Sequence, residues 1–311
     1  MSDQWIRKIG LYVQLSQEEF LDLSAFHIRF EVANADVESP NNASIRIYNL
    51  AKSTVKKLIE QGEFTQVTLN AGYINGNYGT IFQGNIKQFR IGKESAVDTY
   101  LDILAADGDI FYTNAIMNDS IAKNTTPKDH IKVIADKTNT SVDMGNLVVN
   151  GLNNPSLRGK VMFGLARGFL RNVTSKLDTT WSIQNGVLEI IPKNGYLEDE
   201  VVELSANTGL IGIPEQTDEG VRMKCLLNSK LRIGRLVNVN NNIVNKTLAV
   251  AGSDAQIAYD SYSVQHLGAM SDDGTYRMLV VEHEGDTRGG AWYSNIVGLA
   301  FDVTNKTTLA Q

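Results

Sequence analysis

Few stretches of this sequence gather side chains that could do chemistry. The densest is His283-Glu284-Gly285-Asp286, an imidazole beside two carboxylates, the makings of a general acid–base cluster. Its plainer reading is a charged loop at a subunit contact. Asp107-Gly108-Asp109 also pairs two carboxylates. No partner acid or ligand histidine lies near it in sequence, so it reads as a strand-ending turn that begins a linker. The histidines His27, His130, His266 and His283 are scattered, and none has a His or Cys partner at the spacing a zinc site requires. The glycine-rich run Gly285–Gly290 lacks the phosphate-cradling G-x-x-x-x-G-K-[ST] pattern, Gly92-Lys93 lacks the rest of it, and no G-x-S-x-G elbow occurs. The lone Cys225 excludes an internal disulfide and lies on the apolar side of an alternating run, as buried filler. These residues give no catalytic, cofactor-binding or metal-ligating assignment. A glycosidase needs two opposed carboxylates, whose separation cannot be read from a sequence. A cell-wall carbohydrate-active enzyme or glycan-binding protein therefore stays open as the alternative reading.

Composition points to a folded protein of two or three units: 311 residues, 42% hydrophobic, 21% charged, with 26 Gly against 5 Pro, a balance that suits many turns. The net charge is −6, which argues against a broad nucleic-acid surface. Charge is uneven. Residues 121–180 hold nine Lys/Arg and four Asp, a local +5, which leaves −11 for the remainder. The N-terminus lacks the apolar core of a signal peptide, and no apolar run approaches the length of a membrane span.

The element that best organises the chain is Thr65–Ile86. Val67, Leu69, Ala71 and Tyr73 alternate with Thr68 and Asn70, and the loop Asn75–Gly79 turns the chain back. Gly84 marks a bulge or a close backbone approach. Further alternation predicts strands at Arg7–Leu15, Phe26–Val32, Ser44–Tyr48 and Thr99–Ala105. In the second of these His27 falls on the polar face. One short helix is expected between, capped by Ser53, with Val55, Leu58 and Ile59 as its stripe and Gly62 as its end. Residues 1–113 thus read as an all-β barrel or sandwich with a single helix.

Residues 114–200 read as an α+β unit. Thr126-Pro127 with Asp129 starts a helix that buries Ile131, Ile134 and Ala135, with His130 beside the stripe. Val161, Leu165, Phe169 and Val173, spaced by four, predict a second helix over 159–177 with Lys160, Arg167, Arg171 and Lys176 outward. Asn185-Gly186 between alternating runs predicts a hairpin. Residues 201–311 return to β, with strands expected at Val221–Cys225, Leu231–Val239, Ile243–Val250, Tyr259–Leu267, Tyr276–His283 and Trp292–Phe301. The order of parts hints at duplication. Ser44–Tyr48 compares with Val221–Leu226, Val67–Tyr73 with Leu236–Asn240, and Thr80–Arg90 with Tyr276–Gly285. Residue identity between them is weak, and the pattern leaves duplication open.

Four stretches, taken in order, resemble the baseplate hub proteins of long-tailed bacteriophages and related contractile injection machines. They are Ser44–Lys57 (SIRIYNLAKSTVKK); Leu69–Gly84 with Gly72-Tyr73 and Ile81–Gly84, leading to Asp107-Gly108; Ser205–Gly234 with Thr208–Pro214, Gly220-Val221 and Leu226–Asn228; and Val281–Trp292 with His283, Gly285–Gly289 and Trp292. The resemblance implies a mainly β fold, α+β overall, with two similar β-barrel or sandwich tube domains around an α+β domain. It implies a homotrimer whose six tube domains line a pseudo-sixfold channel. Partners would be a tail tube protein, a central spike protein, other baseplate proteins and a tape measure protein, with DNA only in transit through an acidic-walled channel. The place would be the virion tail baseplate, assembled in the host cytoplasm. Tyr73, Gly84, His283, Asp286, Arg288 and Trp292 would be structural or interface residues, the last three holding a closing loop or an intersubunit seam. No lysozyme-like domain is evident, so lytic activity does not carry over. A tail or tube ring protein of other stoichiometry is a further possibility of the same kind.

Overall fold

The computed structural model describes residues 4–16, 19–60, 62, 65–143, 149–193, 195–217, 220–240 and 274–301. The strands expected at Ile243–Val250 and Tyr259–Leu267 lie outside these residues. The described chain is mainly β, and most of its strands join one sheet.

The first unit contributes β1 (Arg7–Gln14), β2 (Phe20–Asp22), β3 (Ile28–Ala35), β4 (Asn42–Tyr48), β5 (Gln66–Tyr73), β6 (Gly79–Lys93) and β7 (Thr99–Ala106), with α1 (Lys52–Glu60) between β4 and β5. Alternation decides which face is buried. Val67, Leu69, Ala71 and Tyr73 of β5 all enter the core, joined by Leu11 and Val13 of β1 and by Ile28, Phe30 and Val32 of β3. Two details of α1 differ from expectation. Ser53 lies inside the helix, and Ile59 is exposed, so the helix covers the core with Leu58 and Val55 alone. Gly62, at φ +80°, receives the end of the helix, its N–H donating to the Ile59 carbonyl.

The middle unit holds α2 (Asp109–Asn114), β8 (Ile116–Ile121), α3 (Pro127–Lys137), β9 (Ser141–Asp143), β10 (Lys160–Leu165), α4 (Ala166–Lys176), β11 (Thr179–Gln184) and β12 (Val187–Pro192). The Thr126 side chain and Asp129 form the reciprocal capping box of α3. Asn185 (φ +53°) and Gly186 (φ +80°) make the tight turn between β11 and β12. The single helix expected over 159–177 is a strand followed by a helix. In β10, Val161, Phe163 and Leu165 point out while Met162 is buried, and α4 then buries Ala166, Leu170, Val173 and Thr174. A spacing of four happens to run through both elements, which misled the periodicity. Nor does Asp107-Gly108 open a linker: the chain passes straight into α2.

The last unit adds β13 (Val202–Leu204), β14 (Leu210–Thr217), β15 (Gly220–Leu226), β16 (Leu236–Val239), β17 (Thr275–Asp286) and β18 (Trp292–Ala300). The large sheet runs β14-β15-β18-β17-β3-β4-β7-β6-β5-β1-β2, with β16 on β17 and β13 on β16. Among the described residues it is open, where closed barrels were one expectation. Its order contains the same walk twice: β3-β4-β7-β6-β5-β1 in the first unit and β14-β15-β18-β17-β16-β13 in the last. The three pairs of segments compared above occupy matching places in it. The long strand of each half skips one residue against its neighbour at the matching point, Lys87 in β6 and Leu279 in β17. A cation lies over a tyrosine at matching positions too, Arg46 over Tyr100 at 3.9 Å and Lys224 over Tyr293 at 4.3 Å. One end differs, since β1 meets β5 antiparallel and β13 meets β16 parallel.

Candidate functional site

The two halves are joined by backbone. β17 pairs antiparallel with β3 from Val280 opposite Ala35 to Asp286 opposite Arg29. Trp292, at the start of β18, buries its ring in the first unit's core, where it meets Phe30 edge-on at 5.5 Å. Gly285 makes room for this contact, because a Cβ there would collide with the Phe30 ring.

At the end of the seam Asp286 organises the turn back to β18. Its Oδ1 accepts the backbone N–H groups of Arg288 (2.8 Å) and Gly289 (2.7 Å) and lies 2.8 Å from His27 Nε2; Arg29 Nε lies 3.5 Å from its Oδ2. Burial acts to raise this carboxyl, but the bonds from Arg288, His27 and Gly289 outweigh it and hold the group below the usual range. His27 is stacked on Tyr48 at 4.4 Å. The turn is closed by Arg7 of β1, which donates to the carbonyls of Asp286 (2.9 Å), Gly289 (2.6 Å) and Gly290 (2.9 Å) and sits 5.4 Å from the Trp292 ring.

Of the six residues singled out, four meet here. Trp292 and Asp286 contribute side chains, Arg288 contributes its backbone N–H while its side chain is exposed, and Tyr73 lies buried opposite Arg7, its phenol pushed up to about 12 by burial. His283 lies within the seam opposite Val32, 2% exposed, with Nδ1 2.8 Å from Ser294 Oγ. Burial pushes it down to about 4, so it is neutral. Gly84 is elsewhere: a Cβ there would stand 2.7 Å from the Ala106 carbonyl, so it serves the close approach of β6 and β7. Arg7, His27 and Phe30 complete the joint. The alternation of Phe26–Val32 already put His27 on the polar face and Phe30 on the buried one, but not their partners across the joint. Arg7 and Asp286 are 279 residues apart and share no local pattern.

The same strand geometry dismantles the acid–base cluster. Along β17 His283 and Gly285 face the core, whereas Glu284 and Asp286 face the open side of the sheet. There Glu284 pairs with Lys224 at 3.1 Å. A depression of about 300 Å³ on this side is bordered by Glu31, Asn42, Ser44, Glu282, Glu284 and Asn295. The open face carries both signs in register, with Arg46 bound to Asp102 at 2.7 Å.

A second joint ties the middle unit to both halves. Asp107 is buried, and its carboxylate accepts the Gly186 N–H at 2.9 Å. Burial pushes it up to about 7, against the bonds from Gly186 and Asn185. Arg277 of β17 donates to the carbonyls of Pro192 (3.0 Å), Lys193 (3.0 Å) and Gly195 (3.1 Å) and reaches Asp36 at 3.3 Å. Arg235 holds Glu189 at 3.0 Å and Asp199 at 2.9 Å. On the outside, β8 and β10 expose Ile116, Val161, Phe163 and Leu165 together. No helix among the described residues is long and apolar enough to cross a membrane.

A protein-family model described as baseplate hub gp41 matches residues 12–260. No curated protein matches the chain. Among solved structures it is similar to the tail protein from Neisseria meningitidis MC58 (TM-score 0.58, 9% identity, covering 95% of this chain and 97% of that one). It is also similar to the 43 kDa tail protein of prophage MuSo2 from Shewanella oneidensis (TM-score 0.59, 9% identity, 94% and 97%). A third is the E. coli c3393 protein, a component of the type VI secretion system described as structurally similar to bacteriophage T4 tail proteins (TM-score 0.54, 12% identity, 94% and 77%). At these identities the likeness is one of fold.

Proposed function

The chain belongs to the baseplate hub gp41 family, and from that premise we propose that it is the structural hub of a phage tail baseplate, a homotrimer joining a sixfold tail tube to a threefold central spike around the DNA channel. One observation carries this reading beyond the family: the strand order is walked twice within one chain. Three chains then present six like-built halves, so a threefold object can meet a sixfold one. In this arrangement the open face of the sheet, with its paired Arg46–Asp102 and Lys224–Glu284, lines the channel. Fixed ion pairs leave few unneutralised cations to hold passing DNA.

Tube and spike meet the two rims, and a tape measure protein reaches the hub through the tube. The middle unit stands outside the ring, where the apolar face of β8 and β10 is suited to other baseplate proteins. The protein acts in the virion tail and assembles in the host cytoplasm. The roles of Tyr73, His283, Asp286, Arg288 and Trp292 are structural: they fix one half against the other within each chain, and Gly84 keeps β6 close to β7. Native mass spectrometry with low-resolution imaging of the purified chain tests the reading. A three-chain particle with a central hole is expected. A single chain at assembly concentrations, with no annulus and with sugar bound in the depression near Glu31 and Glu284, would overturn it in favour of a glycan-directed protein.

A further inference from the structure

We propose that the outer face of the β8–β10 ladder seats an acidic amphipathic helix of a partner protein, about 14 residues long. The proposal rests on the reading that the middle unit meets other baseplate proteins, and it gives that contact a place and a chemistry.

β8 and β10 pair antiparallel from Ile116 opposite Leu165 to Ile121 opposite Lys160. One face of this ladder is covered. Met117, Ile121 and Met162 are buried in a core shared with Ile131 and Ile134 of α3 and Leu170 of α4. An antiparallel ladder covered on one side alone alternates apolar with polar residues. β10 does not: its outward residues Val161, Phe163 and Leu165 are as apolar as Met162 between them, and Ile116 stands opposite Leu165. Val161 and Phe163 are each 76% exposed and Ile116 is 68% exposed. A strand apolar to both sides is the pattern of a sheet with a layer on each face. The described residues supply one such layer.

Shape makes the second layer a helix. Strands of six residues are roughly 20 Å long, and a helix laid along them covers that length in about 14 residues. The surroundings of the apolar strip set its charge. Asp119 is the only acid in the two strands, and it turns to the covered side, where Lys137 of α3 holds it at 2.9 Å. The outer side has cations at both ends. Arg167 lies two residues beyond Leu165. Lys123 and Arg158 flank the other end, where the two chains run on together until the Asn124 N–H donates to the Ser156 carbonyl at 2.7 Å. All three are exposed, and none is ion-paired among the described residues. An apolar stripe edged by carboxylates complements such a surface. Asn118 and Ser120 share the outer face, opposite Phe163 and Val161. Acyl chains would leave their polar groups without partners, whereas the polar flank of a helix can reach them, which favours a protein over a lipid surface.

The test uses two labelled synthetic peptides of about 14 residues, each with leucine along one helical face, one edged with glutamate and the other with lysine. Fluorescence anisotropy with the full chain should show the glutamate peptide binding about tenfold more tightly or better. Arg158→Glu with Arg167→Glu should reverse the preference, and Phe163→Ser should weaken both peptides about tenfold. These side chains are exposed, so the variants should keep the unfolding midpoint and the three-chain particle. Equal binding of the two peptides, binding of neither, or an unreversed preference overturns the proposal. Tighter binding to phosphatidylserine vesicles than to the glutamate peptide overturns it in favour of a lipid surface. Loss of the three-chain particle in Phe163→Ser would place this face between copies, overturning the proposal while the ring reading stands. A chain that is single throughout, yet discriminates the peptides as expected, overturns the ring reading and leaves this site in place.

Discussion

Asp36 and Arg277 meet at 3.3 Å with less than a tenth of either side chain exposed. The pair locks three parts of the molecule at one point: Asp36 follows β3, Arg277 belongs to β17, and the other arm of the guanidinium takes three carbonyls at the end of β12 and just beyond it. Thr180 of β11 adds a bond to Asp36 at 3.2 Å. Removing one member of a buried pair strands the other in a medium that solvates it poorly. Arg277→Met should therefore cost about 3–5 kcal/mol in urea unfolding. Asp36→Asn should cost less, since Arg277 keeps its carbonyls. Equal and small losses for both would show that the joint contributes little.

Trp292 belongs by sequence to the last unit and by packing to the first. Its loss should leave a cavity beside Phe30 that the two paired strands cannot collapse to fill. Trp292→Ala should destabilise the chain by about 3–5 kcal/mol and impair formation of the three-chain particle, whereas Trp292→Phe should retain assembly. Full assembly of the alanine variant at unchanged stability would refute an anchoring role.

Arg7 holds the turn after Asp286 through three carbonyls, but on the exposed side of the molecule. Its effect should be local. Arg7→Lys loses the forked geometry, and amide exchange of residues 287–291 should quicken about tenfold, in line with the net worth of a hydrogen bond. The global unfolding midpoint should move by no more than about 0.5 kcal/mol. Unchanged exchange in the turn would show that Asp286 alone suffices.

What was legible in advance was whatever is written locally. The alternation of Val67, Leu69, Ala71 and Tyr73, the cap at Thr126 and the turn at Asn185-Gly186 each need only a few neighbouring residues to declare themselves. The matched order of strands was visible as a hint, because matching strands keep their sequence order even where identities have gone. The joints were not legible. His27 meets Asp286 across 259 positions, and a charge on the polar side of a strand looks the same whether it faces water or another strand's end. The His283-Glu284 pair misled for another reason. The preceding run Met278–Val281 is apolar on both sides, so the period that separates His283 from Glu284 was hidden. At Val161–Val173 one spacing fitted two different elements.

Two buried titrating groups pull the pH dependence of stability in opposite directions. Burial keeps Asp107 protonated in the folded chain up to about 7, against an ordinary value of 3.8. The folded state thus holds the extra proton between those values, and this contribution to stability declines as pH rises from about 4 to about 7. His283 is pushed down to about 4 from 6.5. Here the unfolded chain takes the extra proton, so stability declines as pH falls from about 6.5 to about 4. Between about 4 and 6.5 the slopes oppose, and these two groups together should give a shallow profile. Each variant should unmask the other group. Asp107→Asn should make stability rise with pH across that window, and His283→Gln should make it fall from about 4 to about 7. Urea midpoints taken every half unit of pH decide the matter, with slopes compared rather than absolute values, since both substitutions also alter packing. Parallel profiles for the wild type and His283→Gln would mean that the histidine is not held neutral. Parallel profiles for the wild type and Asp107→Asn would mean that the carboxyl is ionised where it meets Gly186.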